Sequence, residues 1–198
     1  MDAVTAIAIA LGAGWASGLN TYAAVLVLGG AQMLGLVNLP QDIQVLGSPW
    51  VMTAAALLFL LNFFADKIPF VDSINDALHT FVRVPAGALL AYGAAGGLSP
   101  EVAVIAALVG GTLAAGTHVA KTGSRAAINA SPEPFSNIAA SFAADGLVVG
   151  GLILAITHPI IFLCILAAFV ALLIWLLPKL IRWAASAFGR VFGKRQRP

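Results

Sequence analysis

Residues 159–177 read PIIFLCILAAFVALLIWLL, nineteen positions without a charge. At about 1.5 Å of rise per helical residue, such a run matches the roughly 30 Å hydrocarbon core of a bilayer. Residues 49–65, 73–96, 100–119 and 135–156 form four more apolar stretches that meet or approach span length. The whole chain is 198 residues, 61% hydrophobic and 9% charged, against roughly a quarter charged in a soluble domain. A soluble core of this size could not bury so much apolar side chain, whereas a bundle that uses lipid as solvent can. The expected fold is therefore all-α, a polytopic helical membrane bundle of about six spans. Residues 1–183 are expected to form one transmembrane domain, followed by a basic amphipathic cytoplasmic tail over 184–198.

The region 3–37 is too long for one span and too short for two. Gly12, Gly14 and Gly18 lie in its middle, and glycine costs a helix up to about 1 kcal/mol per residue. A break at membrane depth is tolerated only where protein or a wet cavity covers the freed backbone. The expectation is a half-helix, a break near residues 17–20 and a helix over 19–37, leaving open a single crossing or a hairpin. No basic n-region or cleavage site accompanies it, so it reads as a retained segment.

Lys67 and Arg83 mark one connection, Lys121 and Arg125 the next alternate one, and six of the ten basic residues follow Pro178. The intervening connections 38–48, 96–99 and 157–158 contain no Lys or Arg. Under the positive-inside rule the basic regions and the C-terminus are cytoplasmic, in a bacterial inner membrane. The tail from Arg182 to Arg197, with Trp183, Phe188 and Phe192 among its bases, reads as a helix lying on anionic lipid headgroups. The basic pI of 9.0 thus has a membrane explanation, and no nucleic-acid partner is expected.

Ser48-Pro49 and Ser99-Pro100 recur at an offset of 51 residues, and Ser before Pro is N-cap and N1 chemistry. Asn20, Asn75 and Asn137 each fall near the start of a returning helix. These echoes suggest internal two-helix repeats, as in many transporters; chance use of ordinary helix-start residues is the alternative.

Function is sought among polar residues that do not belong in lipid. Asp145 lies mid-helix, at a cost of at least about 2.5 kcal/mol unless it faces the interior with a partner. Arg83 and Asp145 are each eight residues beyond Asn75 and Asn137, about 12 Å along their helices. They are expected at equal depth, as a pair or lining one cavity, either as a structural ion pair or with proton or ion coupling through Asp145. Asp72, Asp76, His79 and Arg83 form one helical stripe, with Asp66, Lys67 and Asn75 beside it, and Pro85 is expected to kink that helix. Lys121 and Arg125 share a face next to the run Ser131 to Asn137, a setting that suits an anionic group, or equally a loop near anionic lipid. The candidate substrate-binding residues are Asn20, Asn75, Asp76, His79, Arg83, Lys121, Arg125, Asn137 and Asp145.

The single cysteine, Cys164, and the scattered His79, His118 and His158 give no metal-ligand spacing, and no cofactor is expected. No catalytic or nucleotide motif is present, so an enzyme is not expected.

The segment 14–22, the Asp66-Lys67-Ile68-Pro69 turn with Asp72, and Lys121 to Arg125 followed by Ser131-Pro132-Glu133-Pro134 together resemble a bacterial family of multi-pass membrane proteins known only as a domain of unknown function. The resemblance covers residues 3–183 and implies one domain whose polar turns are the functional places. The expected function is a small transporter or channel for a small or lipid-attached anionic solute, with a scaffold subunit or a lipid-handling protein as alternatives. The expected partners are the lipid bilayer and a homo-oligomer.

Overall fold

The computed structural model describes residues 1–68, 70–129 and 134–192, with side chains for these except at 126, 129, 134, 177, 178 and 180–192. The elements are α1 (Ala3–Met33), a 3₁₀ helix (Gln41–Gly47), α2 (Pro49–Ala65), α3 (Val71–Ala95), α4 (Pro100–Asn129), α5 (Pro134–Thr157) and α6 (Pro159–Phe192). Residues 1–163 form one compact unit and 164–198 a second. The expected amphipathic character of the tail falls on side chains outside the described residues.

Among the described residues, four helices are long and apolar enough to cross a membrane, namely α1, α4, α5 and α6, and five if the 3₁₀ helix and α2, bent by 65°, make one span. The expected count of about six differs at α3. Asp72, Asp76 and Arg83 occupy its first half, so its hydropathy falls below that of a lipid-facing span although it packs along α1 and α4.

Helix starts follow the local chemistry. The Ser48 and Ser99 hydroxyl oxygens accept from the Val51 and Val102 N–H groups, both at 3.3 Å, with Pro49 and Pro100 in the first turns. α3 follows Phe70 at φ 70° and continues through Pro85.

α1 is the most buried span, and it is broken where the glycine-rich stretch ends: Asn20 leaves helical geometry at φ −157°, ψ 99°. Its contacts reveal that the chain turns back there. On the descending arm, Gly12 meets Leu152 of α5, and Asn20 meets Asp145, seven residues nearer the start of that helix. On the returning arm, residues between Leu26 and Leu36 again reach Ile153, Ile156 and Thr157. Gly29 meets Leu46 and Met52, and Gln32 donates to the Gln44 carbonyl at 3.4 Å. α1 is thus a re-entrant helical hairpin with Asn20 at its apex. The break falls where the sequence places it, while the returning helix ends at Met33 instead of residue 37.

The descending arm is central because it is made of small residues. A Cβ on Gly14 would lie 2.5 Å from the Gly110 Cα, Gly18 faces the Ala114 carbonyl, and a Cβ on Gly87 would lie 2.6 Å from that of Ala114. Three small-xxx-small pairs, Gly14/Gly18, Gly87/Ala91 and Gly110/Ala114, therefore bring α1, α3 and α4 into backbone contact. This close crossing draws the polar ends of α3 and α4 against the hairpin apex.

Candidate functional site

Three aspartates and three cations meet beside the apex, each at most 6% exposed. Asp66 follows the last turn of α2, Asp72, Asp76 and Arg83 share one face of α3, and Lys121 and Arg125 lie one turn apart on α4. Arg83 Nη1 is 2.8 Å from Asp76 Oδ1. Lys121 Nζ lies 2.8 Å from Asp66 Oδ2 and 3.3 Å from Asp76 Oδ1. Arg125 reaches Asp72 at 3.2 Å, Asp66 Oδ2 at 3.3 Å and Asp76 at 3.7 Å, and donates to the Asp66 carbonyl at 2.8 Å. The formal charges sum to zero, which a buried cluster requires, since each ion gives up several kcal/mol of hydration.

Neutral groups complete the network. Asn62 Oδ1 accepts from Asn75 at 2.8 Å and Arg83 at 3.4 Å, and Asn75 also donates to Asp66 Oδ1 at 3.1 Å. Arg83 can only donate, so His118 Nδ1 accepts from it at 3.0 Å, and the ring hydrogen is on Nε2, 2.7 Å from Thr80 Oγ1. His79 Nδ1 donates to the Asn75 carbonyl at 2.7 Å, which leaves Nε2 to accept from the Tyr22 hydroxyl at 3.1 Å.

The apex is satisfied by three bonds. The break separates the Ala23 N–H from the Leu19 carbonyl, its partner in an unbroken helix. Ala23 N–H donates instead to Asn20 Oδ1 at 3.2 Å, and the Leu19 carbonyl accepts from Lys121 Nζ at 3.0 Å. Asn20 Nδ2 donates to Asp145 Oδ1 at 2.9 Å. Asn20→Ala is expected to lower stability by about 1–3 kcal/mol, because it strands the Ala23 N–H and weakens the tie to Asp145. Thermal unfolding in detergent measures it, and an unchanged midpoint would remove Asn20 from the account.

A second polar group lies along α5, where Asn137, Ser141 and Asp145 succeed one another at four-residue spacing. Asn137 and Ser141 are 1% exposed. Neither polar atom of the Asn137 amide, nor Asp145 Oδ2, has a hydrogen-bond partner among the described residues. Lys67 Nζ sits 2.9 Å from the Phe63 ring centroid and 4.3 Å from that of Phe142, and donates to the Phe63 carbonyl at 3.1 Å. Its contact with Ser141 Oγ is 3.5 Å.

Two groups in the α2–α3 turn titrate away from their ordinary values. Burial pushes the Lys67 ammonium down against the opposing pull of Asp145 and Asp66. Burial alone would raise the Asp66 carboxyl, but the Lys121 and Arg125 charges and the Lys121 hydrogen bond outweigh it and hold it below 3.8. A carboxyl lowered on folding stabilises the fold above its unfolded value and loses that contribution as pH falls through the folded one. Acid unfolding is thus expected to begin below about pH 4. Asp66→Asn is expected to flatten that limb in a pH series of melting curves.

Of the nine candidate residues, Asn75, Asp76, His79, Arg83, Lys121 and Arg125 converge in the network. Asn20 and Asp145 bond to each other and reach it through Leu19. Asn137 shares the Asp145 face of α5, with no hydrogen bond to the others. The expected pairing of Arg83 with Asp145 is not formed: Arg83 is held by Asp76, and α1 packs on both α3 and α5. Lys121 and Arg125 are neutralised by aspartates, so they offer no free positive charge. Residues 131–133 of the expected anion-binding run lie outside the described residues. Asp66, Asp72 and His118 are network members outside the nine, as are Asn62, Thr80, Ser141 and Ser17, whose hydroxyl donates to the Arg83 carbonyl at 2.8 Å. Asn62 had a legible signal, a polar residue in an apolar run four positions before Asp66. Among the described residues, no group of three or more His, Cys, Asp or Glu side chains is placed to hold a metal ion.

Apolar helices of span length, and a re-entrant hairpin with ionised side chains at its apex, define a polytopic helical membrane protein. The chain belongs to the family described as Domain of unknown function (DUF4126), which it matches over residues 7–179. No curated protein and no solved structure matches it.

Proposed function

We propose that the protein is a small transporter of a bacterial inner membrane, with the ion network and the C-terminus on the cytoplasmic side. The carrying observation is the hairpin apex, a backbone break inside the protein bonded to Lys121 of α4 and to Asp145 of α5. Broken helices whose freed backbone meets ionisable side chains are how helical transporters build a solute site and its moving barrier. The substrate in this reading is a small or lipid-attached anionic solute. Its anionic group would take the place of a carboxylate on Lys121 or Arg125, loosening the Lys121 clamp on Leu19 as it binds. The basic tail rests on anionic headgroups, and no covalent chemistry is involved.

Reconstitution in liposomes with a panel of carboxylate and phosphate solutes, with and without a pH gradient, tests this. Solute flux that Lys121→Met abolishes in folded protein is the expected result. Absence of flux for every solute, with the wild-type fold intact, would overturn it. Complete pairing of the six charges favours a second reading, a scaffold subunit, for which network variants would alter stability and partner retention alone.

A further inference from the structure

We infer that Asp145 is a reversible proton-binding site, reached from the network end of the bundle along Asn137 and Ser141, and that its protonation releases the hairpin apex. The inference deepens the transport reading and rests on it for the purpose of the coupling; the proton site itself stands on separate geometry.

Asp145 is half-buried, with its Oδ2 atom enclosed, and its surroundings differ from those of the three buried aspartates. Among the described residues, Asp66, Asp72 and Asp76 each touch at least one cation within 3.3 Å, whereas Asp145 Oδ1 has one neutral donor, Asn20, and Oδ2 has none. An enclosed carboxylate oxygen with no donor and no cation in contact is costly to keep charged, and a carboxylate relieves that cost by taking a proton. The groups around it are few. α1 presents Asn20, and α5 carries no other Asp, Glu, Lys or Arg. From the end of α2 come Lys67, whose charge interacts with Asp145, and Asp66. From α4 comes Lys121, bound to the neighbouring Leu19 carbonyl.

The path lies on one helix face. Ser141 and Asn137 precede Asp145 by one and two turns, about 6 and 12 Å towards the start of α5, and both are buried polar groups. The unpartnered amide of Asn137 can hold water through both its donor and its acceptor. In the step proposed, a hydronium at the network end passes its proton through such water to Oδ2. An O–H bond forms there, the carboxylate loses its charge, and release to water reverses the step with no change of oxidation state. The Asn20 bond then becomes one between neutral groups, roughly half as strong as a charge-assisted one, so the apex loosens.

Infrared spectroscopy of the protein in nanodiscs reads this directly, through the carboxylic C=O stretch that appears on acidification. We expect one titrating band absent from Asp145→Asn. We also expect its midpoint to move to higher pH in Lys67→Met, since loss of a nearby cation favours the neutral acid. Uptake after a pH jump should slow in Asn137→Leu. A spectrum unchanged by Asp145→Asn, or a midpoint unmoved by Lys67→Met, would overturn the inference whatever the flux assay gives. The expected band in a protein that moves no solute would instead sink the transport reading and leave the proton site standing.

Discussion

Replacing Lys121 by methionine is expected to destabilise the folded protein by about 3–5 kcal/mol, the usual result of removing one partner from a buried ion cluster. Lys121 closes three gaps at once: it pairs with Asp66 at 2.8 Å, approaches Asp76 at 3.3 Å and accommodates the Leu19 carbonyl at 3.0 Å. Methionine fills much the same volume but leaves net negative charge in the interior and an orphaned carbonyl at the apex. Because the damage is chiefly uncompensated charge, adding Asp66→Asn should recover part of the loss even though it removes a second native partner. Denaturant titration of single and double variants in micelles gives the coupling. Strictly additive losses would contradict the clamp.

The second large effect lies at the three-helix crossing. A Cβ on Gly14 would lie 2.5 Å from the Gly110 Cα and 2.7 Å from its carbonyl oxygen, so the clash is with backbone and no flexible side chain can yield. Gly14→Leu should therefore cost at least about 3 kcal/mol, at the upper end of overpacking effects. It should also loosen the ion network, because separation of α1 from α4 pulls Leu19 away from Lys121. Gly150→Leu is the matched control: no atom lies within 4 Å of its added Cβ. That change should stay within about 0.5 kcal/mol. Equal effects at the two positions, measured by thermal unfolding, would mean that close approach at Gly14 is not what holds the helices.

The apolar runs, the Ser-Pro helix starts and the break near Asn20 were legible because each depends on local chemistry. Two things were not. The reversal of α1 depends on what its second arm packs against, and nothing within residues 3–37 reports that Leu26 to Leu36 lie beside Ile153 to Thr157. The partner of Arg83 was misjudged for a related reason. Depth along α3 and α5 made Asp145 suitable, but depth gives no lateral order, and the hairpin stands between the two helices. Asp76, seven residues before Arg83 and so on the same face, is the partner that the stripe itself offers. The balance of three aspartates with three cations was also open to counting; only the crossing of small residues explains why they meet.

The hairpin is the feature on which the Lys121 clamp and the transport reading depend, and its sidedness is measurable. In a Cys164→Ser background, Asp2→Cys, Leu36→Cys and Ala127→Cys place single thiols before α1, after it and near the end of α4. A membrane-impermeant maleimide added to sealed right-side-out or inside-out vesicles reports which face each thiol occupies. Labelling of positions 2 and 36 from the same face, with position 127 labelled from the other, is the predicted result. Labelling of positions 2 and 36 from opposite faces would make α1 a single crossing and contradict the account.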